Sequence, residues 1–510
     1  MNRRYLILSL AIAVLAASAF LATAALANVP CSVRVNNTVQ KLLECVTVEG
    51  VRQHQAALQA IADANGGRRP SGSPGYDASV DYVVGKLTEA GYNVTVQPFV
   101  YNAWVQLGPS ILEQIAPAAA LYGEGVDYNL MDQTVAGDVT AAVTAVDLQL
   151  GLGNNSTSGC EASDFAGFPA GHIALLQRGT CTFQLKAENA AAAGAVGAII
   201  FNQGNTPARE ALFTGTLSSA YAGGIPVMSA SYARGVEWAG TPGLVLRMKA
   251  DVFRGAATTY NVLAETTSGD PNNVVMVGAH LDSVNGGPGI QDNGSGSAAI
   301  LEVALQMHKV KPRNMVRFAW WGAEESGLVG SNYYIANLSS EERERIALYL
   351  NFDMIGSPNF VRFIYDGDGS AFGLAGPPGS AAIEALFEKF YTTRDLAFAP
   401  TEISFRSDYA AFFNAGIPFG GLFTGAEGIK TAAQAAIYGG VAGLAYDPCY
   451  HQACDTYDNI SLEVFDLNSD AVAFAVLQYA MNTQEVNGLK GKGNFQPDKA
   501  FDYLGPELAR

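Results

Sequence analysis

Val274-Val275-Met276-Val277-Gly278-Ala279-His280-Leu281-Asp282 is an apolar run that ends in a histidine and an aspartate. A strand with one face in water alternates apolar and polar residues, whereas a run apolar throughout is buried on both faces, as in a parallel sheet. Two further strand-like runs, Met315–Trp321 and Ala347–Phe352, lead to Glu324-Glu325 and to Asp353. Around them the pattern predicts helices over Ser295–Lys309, Ser380–Tyr391 and Leu462–Met481, and strands over Phe360–Tyr365 and Phe419–Phe423. This alternation predicts an α/β fold in which helices cover both faces of a mainly parallel central sheet.

Open α/β sheets gather function outside the carboxyl ends of their strands. His280, Glu324, Glu325 and Asp353 each follow a strand end, so one crevice can collect them. Asp292 stands in a Gly-rich loop before a helix, and His451 in a loop bracketed by Cys449 and Cys454. Imidazole and carboxylate are the donors that zinc takes in an open site. His280, Asp292, Glu325, Asp353 and His451 are therefore candidate ligands for two zinc ions per chain. Two such ions, about 3.5–4 Å apart, share a bridging carboxylate, for which Asp292 is the candidate. His280 with Asp353 would complete one set, and Glu325 with His451 the other. Glu324, beside a ligand, is the candidate general base. Asp282 is placed to accept the other imidazole N–H of His280, and Tyr450 to donate to an oxyanion. A lone His-x-Asp is usually structural and a Glu pair is usually surface. The conjunction carries the weight, because the chain has five histidines and two of them stand here. His54 in a helix, His172 at a strand start and His308 near a helix C-terminus read as structural.

Over 510 residues two or three domains are expected. The net charge of −17 becomes −19 without the first 27 residues, which hold Arg3 and Arg4 and no acid. Such acidity excludes a nucleic-acid partner on electrostatic grounds. Asn2-Arg3-Arg4, the apolar run Tyr5–Ala19 and Ala25-Leu26-Ala27 read as an export signal cleaved before Asn28, and no later run predicts a membrane span. The six cysteines fit an exported protein, and proximity favours the pairs Cys31/Cys45, Cys160/Cys181 and Cys449/Cys454. A secreted monomer is the expectation.

The N-terminal part predicts a helix over Thr38–Ala64, a breaker-rich loop Gly66–Gly75, a helix over Tyr76–Ala90 and a strand over Tyr92–Tyr101. From Ala103 to Gly255 the chain turns rich in Ala, Gly, Thr and Val and reads as a separate module. Its expected elements are strands Val143–Leu148, His172–Gln177 and Val196–Asn202 and a helix Gln184–Ala193.

Five strings, in this order, resemble the secreted zinc aminopeptidases, the bacterial leucine-preferring enzymes and aminopeptidase Y among them. They are Gly278-Ala279-His280-Leu281-Asp282-Ser283, Gly289-Ile290-Gln291-Asp292-Asn293-Gly294-Ser295-Gly296, Trp320-Trp321-Gly322-Ala323-Glu324-Glu325-Ser326-Gly327, Asn351-Phe352-Asp353-Met354-Ile355-Gly356 and Cys449-Tyr450-His451-Gln452-Ala453-Cys454-Asp455. The stretch Asn65–Tyr82 matches as well, so the resemblance spans nearly all of the chain beyond the signal. It implies the zinc-exopeptidase fold, the same five ligands, Glu324 as base, Tyr450 as oxyanion donor, and peptides with a free N-terminus as substrates. Large apolar N-terminal residues are the implied preference. The segment carrying Cys160, Arg178–Phe183 and Lys186 is similar to a protease-associated domain, mostly β. The expected layout is a signal peptide at 1–27, a zinc peptidase domain in two parts at 28–102 and 256–487, the insertion at 103–255 and a tail at 488–510. Asp466 and Asp470 resemble a calcium-binding pair of some bacterial members, although an i,i+4 acidic pair is more often plain surface.

Other readings fare worse. Gly294-Ser295-Gly296-Ser297-Ala298-Ala299 fits G-x-G-x-x-A, but Asp292 would repel a dinucleotide pyrophosphate. No G-x-S-x-G occurs to support a serine hydrolase. A metal-free receptor of the same fold would not need intact ligands. A carboxypeptidase of the fold would use a similar ligand set, so the metals alone do not choose the end of the peptide.

Overall fold

The computed structural model describes residues 30–488. The expected signal peptide and all of the expected tail beyond Gly488 lie outside the described residues. The apolar run Val274–Ala279 lies within a strand, Asp270–His280, at the centre of an eight-stranded sheet. It pairs in parallel with Asn314–Trp321 on one side and with Ile346–Phe352 on the other, and Ile346–Phe352 pairs in parallel with Phe419–Phe423. These four strands are the parallel heart of the fold. Antiparallel pairings flank it: Val252–Glu265 with Asn314–Trp321 and with Asn93–Gln106 on one side, and Phe363–Tyr365 with Phe419–Phe423 on the other, where Ala399–Thr401 adds a parallel edge strand.

Burial on both faces explains the unbroken hydrophobicity. Every residue of Ile346–Phe352 is buried. On one face, helices Val48–Ala64, Gly294–Met307, Ser380–Thr392 and Leu462–Met481 pack against Val275, Val277, Leu348 and Leu350. On the other, Val329–Ala336 and Tyr409–Asn414 cover Met276, Trp321 and Tyr349. Each large side chain so buried contributes about 1.5–3 kcal/mol. The ring of Phe412 stacks on Tyr349 with centroids 3.8 Å apart. Gly278 lies beneath this contact, and a Cβ there would run into Tyr349 Oη and Trp321 Nε1.

A second eight-stranded sheet belongs to the inserted segment. Its central strands Ile173–Gln177, Gly197–Phe201 and Val227–Ala230 are parallel and fully buried. The first two sit close to the expected strands. The third expected strand, Val143–Leu148, begins earlier, as Gly137–Ala145, where it pairs antiparallel with Val245–Ala250. The two sheets are joined by the ribbon Asn93–Gln106 with Val252–Glu265, paired without interruption from Asn93↔Glu265 to Gln106↔Val252. The ribbon runs straight through positions 103 and 255, where composition changes but hydrogen bonding does not.

The single expected helix over Thr38–Ala64 is two, Val39–Leu43 and Val48–Ala64. The first ends at its C-cap Glu44, and Thr47 starts the second, its hydroxyl accepting the Gly50 N–H as an N-cap. All three cysteine pairings are formed, Cys31–Cys45, Cys160–Cys181 and Cys449–Cys454. Among the described residues no helix is long and apolar enough to cross a membrane.

Candidate metal centre

His280 closes its strand, and two carboxylates meet its Nε2: Asp292 Oδ1 at 3.2 Å and Asp353 Oδ1 at 3.2 Å. His451 repeats the arrangement with Asp292 Oδ2 at 3.2 Å and Glu325 Oε2 at 3.2 Å. Asp292 thus offers one oxygen to each imidazole. Glu324 Oε2 stands 3.9 Å from His280 Nε2, on the edge of the first set.

Neighbouring elements hold each side chain. Asp292 precedes helix Gly294–Met307, whose N-cap Asn293 accepts the Gly296 N–H at 2.9 Å. The partial positive charge of that helix end favours an anion there. The Asp353 carboxylate is aimed by Ser407 Oγ, which donates to Oδ2 at 2.6 Å and itself accepts from Asn351 Nδ2 at 2.9 Å. His451 adopts a left-handed backbone, φ 58°, between the bridged cysteines 449 and 454. The Tyr450 ring stacks on His451, centroids 3.8 Å apart, and Arg406 Nη2 donates to Tyr450 Oη at 3.2 Å. Arg406 is in turn anchored by Glu427 Oε1 at 2.7 Å.

Asp282 adjoins the His280 ring with both its main chain and its side chain. The nearest acceptor to His280 Nδ1 is the backbone carbonyl of Asp282, at 3.1 Å, with its carboxylate Oδ1 at 3.7 Å. That carboxylate oxygen accepts the Glu324 N–H at 3.2 Å. Asp282 therefore meets the imidazole most closely through its main chain and the Glu324 turn through its side chain, because the chain bends directly after the strand.

Four carboxylates face two imidazoles, and the protonation energetics reflect the imbalance. Burial would lower the His451 pKa, but Glu325 and Asp292 push it up to about 10. Burial acts the same way on His280, which Asp353 and Glu324 nevertheless drive well above the ordinary imidazole value. Asp292 is raised by burial yet held low by the hydrogen bonds of the two imidazoles. Glu325 is pushed up to about 7 by burial, and Glu324 well above its usual range by burial and by Glu325 and Asp353. The centre attracts positive charge. Glu325 Oε1 and Asp353 Oδ1 are buried with no hydrogen-bond partner. Donors held about 2.0–2.1 Å from a tetrahedral ion stand about 3.3 Å apart, close to the spacing found in both sets. Donor type, spacing and the orphaned oxygens fit zinc.

Three further carboxylates adjoin the centre, to which the sequence assigned no role. Asp455 receives the N–H groups of Gln291 and Asp292. Asp408, fully buried within electrostatic reach of His280 and Asp353, is pushed up to about 8 by burial. Asp132, from the inserted segment, is pushed up to about 6 by burial while His451 pulls it back, which places an insertion carboxylate within electrostatic reach of the centre. The histidines read as structural are so placed. His54 lies between Tyr82 Oη and Glu302, His172 meets Thr144, and His308 meets the Leu305 carbonyl.

Residues 261–476 match peptidase family M28, and residues 139–238 match the PA domain. An aminopeptidase of Pseudomonas aeruginosa is 58% identical over 446 residues, 88% of this chain and 83% of that protein. The chain belongs to peptidase family M28. Leucine aminopeptidase 2 of Arthroderma otae is 42% identical to this M28 peptidase over 438 residues, 84% of this chain and 83% of its own. Among solved structures, a zinc aminopeptidase from Bacillus subtilis shares 25% identity with a TM-score of 0.62, covering 85% of this chain and 95% of that one. The aminopeptidase from Aneurinibacillus sp. strain AM-1 shares 26% identity with a TM-score of 0.57, covering 91% and 99%. The M28 peptidase is accordingly an enzyme, a metallo-exopeptidase with an inserted PA domain.

Proposed function

We propose that this M28 peptidase is a secreted two-zinc aminopeptidase that removes N-terminal residues from peptides, favouring large apolar ones. The observation that carries the metal assignment is Asp292, which presents one oxygen to each of two His–carboxylate sets. His280 and Asp353 would hold one ion, Glu325 and His451 the other, with Asp292 between. Two zincs so held would lower the pKa of water toward about 7 and polarise the scissile carbonyl. Glu324 takes the proton of the attacking water and passes it to the leaving amine. Burial raises its proton affinity, which suits that task. Tyr450 donates its phenolic hydrogen to the developing oxyanion, held in place by Arg406. The acidic groups Glu324 and Asp353 would also hold the free α-amine of the substrate. The catalytic unit is residues 28–102 and 256–487, with 103–255 inserted as a PA domain that influences substrate access.

The test compares leucyl, lysyl and N-blocked substrates with and without chelator. Turnover that survives zinc removal, or equal cleavage of blocked peptides, would overturn the assignment. Glu324→Ala should keep its zinc and lose turnover, whereas Glu325→Ala should lose zinc affinity. A fully active Glu324→Ala enzyme would refute the division of labour.

A further inference from the structure

The loop that leaves strand Phe363–Tyr365 begins Asp366-Gly367-Asp368-Gly369-Ser370 and ends at helix Ser380–Thr392. The strand is antiparallel to Phe419–Phe423, so this loop emerges toward the sheet end opposite the crevice of His280 and Asp353. Oxygens of Asp366, Asp368 and Glu384 lie within 4.8 Å of one another.

Asp366 decides how this cluster is read. Its residue is 0% exposed, and Oδ2 accepts the N–H groups of Ala371 at 3.1 Å and Phe372 at 2.8 Å. Its other oxygen, Oδ1, is buried with no hydrogen-bond partner. A buried carboxylate oxygen left so costs free energy unless a cation or proton meets it. Glu384, also buried, accepts the Asp368 N–H at 3.0 Å, and exposed Asp368 accepts the Ser370 N–H at 2.7 Å. Among the described residues no Lys, Arg or His forms an ion pair with any of the three. Burial pushes Glu384 up to about 7, and Asp368, Asp366 and Glu388 add to the rise. Negative charge converges here on an oxygen that has no partner.

We propose that Asp366, Asp368 and Glu384 bind one calcium ion, at a site separate from the zinc ligands. Oxygen-only donors select a hard cation, and neither imidazole nor thiolate is present to favour zinc. Calcium rather than magnesium follows from the irregular loop, since magnesium demands near-ideal octahedral geometry. The ion ties the Gly-rich loop to helix Ser380–Thr392, whose Ser380 hydroxyl accepts the N–H of Phe419 in the sheet. Its effect is on the stability of this sheet edge and not on turnover.

The test uses the zinc-loaded full-length enzyme, freed of calcium by dialysis into calcium-free buffer that contains zinc. Equilibrium dialysis against radioactive calcium and thermal melts with and without calcium chloride supply the two readouts. The wild type should take up one calcium per chain and melt higher with it. Glu384→Gln and Asp366→Asn should each weaken uptake about tenfold or more and abolish the thermal gain, with zinc content and leucyl-substrate turnover unchanged. Should Asp366→Asn fail to fold, Glu384→Gln decides, because its side chain is not the orphaned one. No uptake by the wild type at about 10 mM calcium, above the roughly 1 mM weak end for extracellular sites, would overturn the proposal. So would uptake that Glu384→Gln leaves unchanged, or that Asp470→Asn abolishes instead. Neither result depends on whether the enzyme is an aminopeptidase.

Discussion

Asp455 Oδ2 accepts the backbone N–H of Asp292 at 3.0 Å, while its Oδ1 accepts that of Gln291 at 2.8 Å. The residue that spans the two imidazoles is thus oriented through its own main chain by a carboxylate from the His451 loop. Asp455→Ala would leave two buried N–H groups unpaired, at about 1–3 kcal/mol each. Its zinc affinity is expected to fall about 10–100-fold, the usual effect of losing an outer-shell partner. Competition with a fluorescent chelator reads this directly. Wild-type affinity in the variant would mean that the loop is held by other contacts.

Tyr450 and Arg406 make a second pair that can be tested. Tyr450→Phe removes the phenolic donor but keeps the ring stacked on His451. Turnover is expected to drop about 10²–10³-fold with KM little changed, the pattern of a donor used in the transition state. Arg406→Met should cost less by itself, because the phenol remains. If Arg406 acts by positioning Tyr450, the double variant should lose little beyond Tyr450→Phe. Additive losses would show that Arg406 contributes separately.

Gly278 links the packing to the centre, two residues before His280. Gly278→Ala puts a methyl into the Trp321 Nε1–Tyr349 Oη hydrogen bond, which is 2.9 Å long. Overpacking of this kind costs about 1–3 kcal/mol. The expected outcome is a lower denaturant midpoint with reduced activity, since the displaced strand carries a candidate ligand. An unchanged midpoint would mean that Tyr349 and Trp321 can give way.

The parallel heart of the fold and the residues of the centre were legible because each leaves a local mark. Phe419–Phe423 and Leu462–Met481 end where their patterns end. The candidate ligand set stood out because histidines are scarce, and the two in it follow a strand or sit between cysteines. What was not legible depends on contacts between distant segments. Nothing in the composition near 103 or 255 betrays a ribbon paired across both positions, because pairing is a property of two strands. Asp408 and Asp132 are ordinary acids in sequence, and Asp455, though part of a matching string, shows its contacts to Gln291 and Asp292 only when loops converge. For Asp282, His-x-Asp spacing does not say that the main-chain carbonyl comes nearer the ring, at 3.1 Å, than the carboxylate, at 3.7 Å.

The Asp466–Asp470 pair allows a prediction with a definite sign. Both lie on helix Leu462–Met481. Burial pushes Asp470 up to about 7, Asp466 adds to the rise and Arg394 opposes it. Its unfolded value is about 3.9. Between those two values the folded chain holds a proton that the unfolded chain has released, so stability falls as pH rises through that window and levels off above it. Asp470→Asn has no such proton to lose. In calcium-free buffer its melting temperature relative to wild type should therefore rise from about pH 4 to about pH 7 and stay constant beyond. A gap independent of pH would show that Asp470 is not raised. Calcium separates the two readings of the pair. If it binds an ion there, as the pair does in the bacterial members it resembles, millimolar calcium should narrow the gap above pH 7 by stabilising the wild type more than Asp470→Asn. If the pair is plain surface, the gap should persist.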